Sequence, residues 1–127
     1  MRHRVQMRWQ DIDGLGHVNH AEVLNYFEEG RDAFLEKCGV GPADYVVGRC
    51  EVTFIKEIKL ESKIVSVDCV VSEIGNSSFR TREEIFNDQG ELLVEASFGL
   101  VMWDRETSGP RPISELERNA MSGKDTQ

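Results

Sequence analysis

The feature that most constrains the fold is a change of hydrophobic period near residue 46. From there to about residue 103, apolar and polar side chains alternate, as they do along half-buried strands. Gly75-Asn76 and the Asn-Asp-Gln-Gly run at 87–90 interrupt the alternation with turn residues, and short hairpins join strands in antiparallel order. The segment therefore predicts four extended stretches of one antiparallel sheet, over residues 46–58, 63–72, 79–86 and 92–103.

One stretch before that point has the period of a helix, and a first strand over residues 2–9 precedes it. Asn19 is a suitable N-cap for a helix that begins near His20, and Gly39 and Pro42 are suited to end it. The apolar stripe of this helix is broad enough to pack against a sheet, and it comprises Val23, Leu24, Phe27, Phe34, Leu35 and Cys38. The prediction is an α+β layer with one long helix on a curved sheet of about five strands. The uncovered sheet face and edge strands predict self-association, as a homodimer or homotetramer.

The length of 127 residues suits a single domain over residues 1–127. Within it, Ser114-x-x-Glu117 matches a capping box for a short final helix, and the small polar residues after about 121 predict a frayed tail. No apolar run approaches the roughly 20 residues that a membrane span needs. Cys38, Cys50 and Cys69 show no C-x-x-C spacing, which is typical of reduced thiols in a cytoplasmic protein.

The charge excludes some broad classes of partner. Fifteen lysines and arginines against 23 aspartates and glutamates give a net charge of −8. Nucleic acids and anionic membranes would be repelled on average, so neither is expected as a partner. An anionic ligand would need positive contacts that are local.

The loop before the helix carries the candidate chemistry. The first N–H groups of a helix that begins near His20 have no intrahelical acceptor, and they can polarise a carbonyl oxygen. Asp13 lies seven residues upstream, on a loop that contains Gly14 and Gly16, so its carboxylate can fold back beside that carbonyl. A carboxylate in this position either attacks the carbonyl carbon or activates a water molecule. The segment therefore predicts a minimal hydrolytic site.

The segment Asp11-x-Asp13-x-x-Gly16-His17-Val18-Asn19, with Tyr26-Phe27-Glu28 and Arg31 on the helix, resembles the hotdog-fold acyl-CoA thioesterases of the 4-hydroxybenzoyl-CoA thioesterase type. The resemblance extends over about residues 3–113. It implies a hotdog fold and the hydrolysis of an acyl-CoA to a free acid and coenzyme A, with no cofactor. It also implies that Asp13 is the nucleophile or general base, and that the His20 backbone N–H polarises the thioester carbonyl.

Further candidate contacts to the substrate are His17, Asn19 and Tyr26, while Asp11 is expected to hold the loop by bonding its amides. The H-x-x-H spacing of His17 and His20 has no third ligand at a metal-binding distance in sequence, so no metal site is expected.

Alternation along the strand near residues 78–82 places Ser78, Arg80 and Arg82 on one face, which makes them candidate contacts for coenzyme A phosphates. Two alternatives to an acyl-CoA thioesterase stay open. An enzyme that acts on acyl groups held by acyl carrier protein is disfavoured by the charge of −8, because carrier proteins are acidic. A non-catalytic module that binds acyl-CoA is disfavoured by the presence of Asp13.

Overall fold

A computed structural model describes residues 2–14, 16–59 and 63–123. Over these residues the chain forms six strands and two helices: β1 (Arg2–Gln6), α1 (His20–Lys37), β2 (Tyr45–Phe54), β3 (Ile64–Ile74), β4 (Ser78–Phe86), β5 (Leu92–Asp104), β6 (Gly109–Pro110) and α2 (Glu115–Met121). The strands pair in the order β1-β3-β4-β5-β2, and every described pairing is antiparallel. The predicted α+β hotdog architecture, one long helix on a curved antiparallel sheet, is confirmed.

The helix begins at His20, as predicted. The Asn19 side-chain oxygen accepts a hydrogen bond of 2.8 Å from the Ala21 backbone N–H, which satisfies one of the unpaired donors of the first turn. Beyond Lys37 the chain turns back through Gly39, whose φ of +81° is in the left-handed region that favours glycine. Local capping therefore determines both ends of α1.

The face that α1 buries differs in part from the predicted stripe. Its buried members are Val23, Tyr26, Phe27, Gly30, Arg31 and Leu35. The expected burial of Leu24 is wrong, because this side chain is 41% exposed. Leu24 faces an open cavity beside β2 with Val47 and Cys50, where no described element covers it.

Two contacts determine how closely the helix approaches the sheet. The Phe27 ring meets Phe98 of β5 edge-to-face, with 5.7 Å between the ring centroids. At Gly30 the backbone comes so close to β3 that a Cβ atom would lie 2.3 Å from Val67 Cγ1. A side chain at position 30 would therefore push α1 away from the sheet.

The strands differ from the sequence prediction mainly at their ends. β1 ends at Gln6 rather than at residue 9, because the chain turns into a 3-10 helix over Trp9–Asp11. β2 ends at Phe54 rather than at residue 58, since the N–H groups of residues 55 and 56 both bond to one carbonyl, that of Leu93. The two-residue strand β6 pairs with the end of β5. β5 lies inside the sheet, because it pairs with β4 on one side and β2 on the other.

The C-terminal capping box is confirmed. Ser114 Oγ accepts from the Glu117 backbone N–H at 3.1 Å, and the Ser114 N–H donates to Glu117 Oε1 at 2.9 Å. Residues 124–127, which hold most of the predicted frayed tail, lie outside the described residues. No helix in the described part of the chain is long and apolar enough to cross a membrane.

Candidate active site

The loop between β1 and α1 is anchored by Asp11, whose side chain is fully buried. Its Oδ2 atom accepts from the Tyr26 hydroxyl at 2.6 Å and from the Arg8 backbone N–H at 3.0 Å, and its carbonyl accepts from the Asn19 N–H at 2.8 Å. Burial by itself would raise the pKa of Asp11, but the bonds from Tyr26 and Arg8 outweigh it and hold the pKa below its usual value. The structural role predicted for Asp11 agrees with this geometry.

Asp13 occupies a tight turn on the exposed side of that anchor. Its N–H donates to the His17 carbonyl at 2.8 Å, and its Oδ1 atom accepts from the His17 N–H at 3.3 Å. Gly16 closes the turn with a φ of +80° and an N–H bond of 3.1 Å to the Asp13 carbonyl. These bonds hold the Asp13 carboxylate at the surface of the loop.

The second half of the loop is pinned to the chain that follows β2. The Val18 N–H donates to the Ile58 carbonyl at 2.9 Å, and His17 forms an antiparallel bridge with Lys59. The imidazole of His17 also meets Glu57, with 3.1 Å between Nε2 and Oε2. His17 is therefore oriented by a carboxylate neighbour.

At the start of α1, the cap made by Asn19 leaves one donor available. Within the part of the chain that the structure describes, the backbone N–H of His20 has no hydrogen-bond acceptor. This N–H lies at the positive end of the dipole of an 18-residue helix. An oxygen atom on which negative charge develops is stabilised at that end. The His20 ring lies 4.6 Å from the Phe54 ring, centroid to centroid, so an aromatic wall stands beside this donor.

A cavity of about 320 Å³ brings these groups together. Its walls include Asp13, His17 and His20 from the loop and helix start, and Val18, Val23, Phe54, Ile55, Lys56, Glu57 and Ile58 around them. A carboxylate, a histidine and a helix N-terminus thus share one small space beside apolar side chains. Such an arrangement can hold a carbonyl group at the helix end and present a carboxylate to its carbon.

Comparison with known families and structures identifies the family of the chain. The family model of the Thioesterase-like superfamily matches residues 7–120. The chain belongs to this superfamily. The predicted enzyme class, a thioester hydrolase, is confirmed at the level of the family.

Solved structures of thioesterases share the fold across nearly the whole domain. A thioesterase from Thermus thermophilus, complexed with coenzyme A and Zn, is 29% identical with a TM-score of 0.86, over 99% of this chain and 94% of that one. A predicted thioesterase from Bacillus stearothermophilus is 25% identical with a TM-score of 0.84, over 99% and 96%. The DHNA-CoA thioesterase from Staphylococcus aureus, 23% identical, has the same fold with a TM-score of 0.85, over 96% and 88%. A comparison with curated protein sequences gave no match.

Several residues predicted for this thioesterase domain lie apart from the cavity. Tyr26, expected to contact substrate, has no exposed surface, and its hydroxyl is engaged by Asp11, so the structure places it in the core. Ser78, Arg80 and Arg82 do share one exposed face of β4, but that face is the outer side of the sheet, away from α1. Alternation along a strand predicts which residues share a face without predicting which face lies near the loop.

Other functional neighbours were not predicted. Phe54, the last residue of β2, and Glu57, in the chain that follows it, line the cavity at positions that depend on where the strand leaves its partner β5. In the sequence, this part of the cavity was indicated only by the apolar residues near the end of the first extended stretch, 46–58. No cluster of three or more histidine, cysteine, aspartate or glutamate side chains suited to a metal ion occurs among residues 2–14, 16–59 and 63–123.

Proposed function

We propose that the chain is an acyl-CoA thioesterase, which hydrolyses an acyl-CoA to a carboxylic acid and coenzyme A. The observation that carries the proposal is the joint presence of Asp13 and the free His20 N–H in one cavity. The coenzyme A bound to the 29% identical Thermus thermophilus thioesterase supports coenzyme A as the thiol part of the substrate. We extend the proposal to the 4-hydroxybenzoyl-CoA thioesterase type on the residues of the Asp11–Asn19 loop.

In the proposed reaction, the thioester carbonyl oxygen accepts from the His20 N–H, and the helix end stabilises the charge that develops on that oxygen. The Asp13 carboxylate then removes a proton from water as the water attacks the carbonyl carbon. Alternatively, it attacks the carbon itself and forms an anhydride that water later hydrolyses. In both routes the carbon–sulfur bond breaks, the thiolate leaves and takes up a proton, and the acid carries one oxygen from water.

The neighbouring residues have supporting roles in this proposal. Asn19 caps the helix through Ala21, which keeps the first turn formed and its remaining N–H directed at the substrate. His17, held by Glu57, lines the same cavity and contacts the thioester end of the substrate. The apolar side chains of Val23 and Phe54 face the acyl part.

We further propose that the enzyme is a homo-oligomer whose copies pair through β2, with the acyl group between subunits. Among the described strands β2 pairs only with β5, so its other edge presents unpaired backbone groups. Val46, Val47, Phe54 and Ile55 at this edge are 37–49% exposed. In sedimentation experiments, Val46→Lys combined with Val47→Lys should give monomers, whereas Val70→Lys, at an exposed valine on β3, should not. A monomeric wild type would overturn this part of the proposal.

A panel of acyl-CoA esters, aromatic and aliphatic, tests the activity by detection of the free thiol. We expect hydrolysis of at least one ester, and its loss in Asp13→Asn. Absence of hydrolysis across the panel, in protein shown to be folded, would contradict the proposal. We keep the cytoplasm as the proposed location, since Cys38, Cys50 and Cys69 are all free thiols.

A further inference from the structure

The outer face of the sheet, opposite α1, has a depression between β2, β4 and β5. Arg49 of β2 and Arg80 of β4 both pair in register with Gly99 of β5, one from each side. Residues directly opposite each other in antiparallel strands point to the same face, so the two arginines flank a floor that has no side chain. The depression has a volume of about 350 Å³, and Ser78 also lines it.

The absence of a side chain at Gly99 is what keeps this floor open. A Cβ atom at position 99 would lie 3.4 Å from the Cβ atom of Arg49. This is van der Waals contact, so an alanine would fit, but a larger side chain would occupy the space between the two arginines.

The charges of the two arginines are poorly compensated by the protein. Within the described residues, Arg49 has no hydrogen-bond partner and no carboxylate within 4.0 Å. Arg80 has one carboxylate at that limit, Glu73, with 4.0 Å between Nε and Oε1, and both of these side chains are more than half exposed. What sets Arg49 and Arg80 apart from other exposed arginines is their place on opposite sides of Gly99, facing one depression. A guanidinium matches the geometry of a phosphate through paired N–H donors.

We propose that Arg49 and Arg80, across Gly99, form a phosphate-binding site for an adenine nucleotide. The nucleotide end of the acyl-CoA and a separate free nucleotide offer the same chemistry, and the first of these sources rests on the function proposed above. The site and the Asp13 cavity lie on opposite faces of the sheet, and β2 contributes residues to both. From Arg49 to Phe54 the distance along β2 is roughly 17 Å.

Binding is tested by titration of adenosine 3′,5′-bisphosphate, the nucleotide end of coenzyme A, into the full chain with calorimetric detection. Arg49→Ala and Arg80→Ala should each weaken binding about tenfold, because each removes charge-assisted hydrogen bonds to phosphate. Arg4→Ala removes the same charge from the exposed side of β1 and should leave the affinity at the wild-type value. Wild-type affinity in both Arg49→Ala and Arg80→Ala, or no binding to the wild type, would overturn the site. Loss in Arg82→Ala without loss in Arg49→Ala would also overturn it.

Kinetics then distinguish the two sources of the phosphate. If the site holds the substrate's own nucleotide, Arg49→Ala and Arg80→Ala raise KM for an acyl-CoA about tenfold and leave KM for the acyl-pantetheine unchanged. If it holds a separate nucleotide, both variants weaken binding of the bisphosphate but leave KM for the acyl-CoA unchanged. Both results support the phosphate site. Because the titration needs no turnover, binding without hydrolysis would contradict the thioesterase proposal and leave this site in place.

Discussion

The buried ion pair between Arg31 of α1 and Glu83 of β4 gives the sharpest test of how the helix is held. Their side chains are 3% and 0% exposed, and Arg31 Nε donates to Glu83 Oε2 at 3.1 Å. The same oxygen accepts from the Thr81 hydroxyl at 2.6 Å, and the guanidinium stacks 4.2 Å from the Phe98 ring centroid. Burial raises the pKa of Glu83, while the charge of Arg31 and the bond from Thr81 act against that rise. The pair thus depends on both charges being present.

Replacement of Glu83 by glutamine keeps the size and one acceptor but leaves the Arg31 charge buried without a counter-ion. Breaking a buried pair from one side costs about 3–5 kcal/mol. With a urea dependence of about 2 kcal/mol per molar, the unfolding midpoint should fall by about 2 M. Circular dichroism during urea titration measures this midpoint, and an unchanged slope shows that the surface exposed on unfolding is the same.

Two controls distinguish the effect of the uncompensated buried charge on stability from an unspecific effect of substitution. Glu91→Gln makes the same chemical change in the exposed pair with Lys56, and its midpoint should stay close to that of the wild type. Arg31→Met combined with Glu83→Met removes both charges, so it should be more stable than Glu83→Gln alone. Unfolding of Glu83→Gln at the same urea concentration as the wild type would contradict a stabilising charge on Glu83.

Three further predictions follow from the loop and the helix. Gly30→Ala should lower Tm. Overpacking against Val67 costs about 1–3 kcal/mol, and this cost outweighs the gain of about 1 kcal/mol from the higher helix propensity of alanine. A higher Tm would contradict the close contact between α1 and β3. Asn19→Ala should lower the free energy of unfolding by about 1 kcal/mol in urea, and no loss would mean that the cap is not formed in solution. The pKa of Asp11 is lower in the folded chain than in the unfolded chain, so the unfolded chain takes up the proton first as the pH falls. The stability that Asp11 provides should therefore be lost as the pH falls below about 4. Urea midpoints across this range should depend less on pH in Asp11→Asn, and an equal slope would contradict the assignment.

The sequence predicted those parts of the fold that depend on neighbouring residues. The Asn19 cap, the Ser114–Glu117 capping box and the turn at 87–90 each involve groups within four positions of one another, and the structure contains all three. The alternating pattern predicted β3, β4 and β5 to within a few residues, since one face of each strand is buried.

Features that depend on distant partners could not be predicted in this way. Arg31 is buried because Glu83, 52 positions away, lies opposite it, and no local pattern signals that pairing. Leu24 is exposed because β2 ends the sheet on that side. The loop motif indicated Asp13 and His20, but the aromatic wall at Phe54 depends on the point at which β2 leaves β5.

The role proposed for the Asp13 carboxylate in the hydrolysis is tested by comparing two aspartate variants. The quantity to measure is kcat for Asp13→Asn on the best acyl-CoA of the panel, with Asp88→Asn, an exposed turn residue, as the charge-matched control. We predict that Asp13→Asn lowers kcat by at least about 100-fold with little change in KM, and that Asp88→Asn retains wild-type kcat. Turnover by folded Asp13→Asn at the wild-type rate would contradict the account.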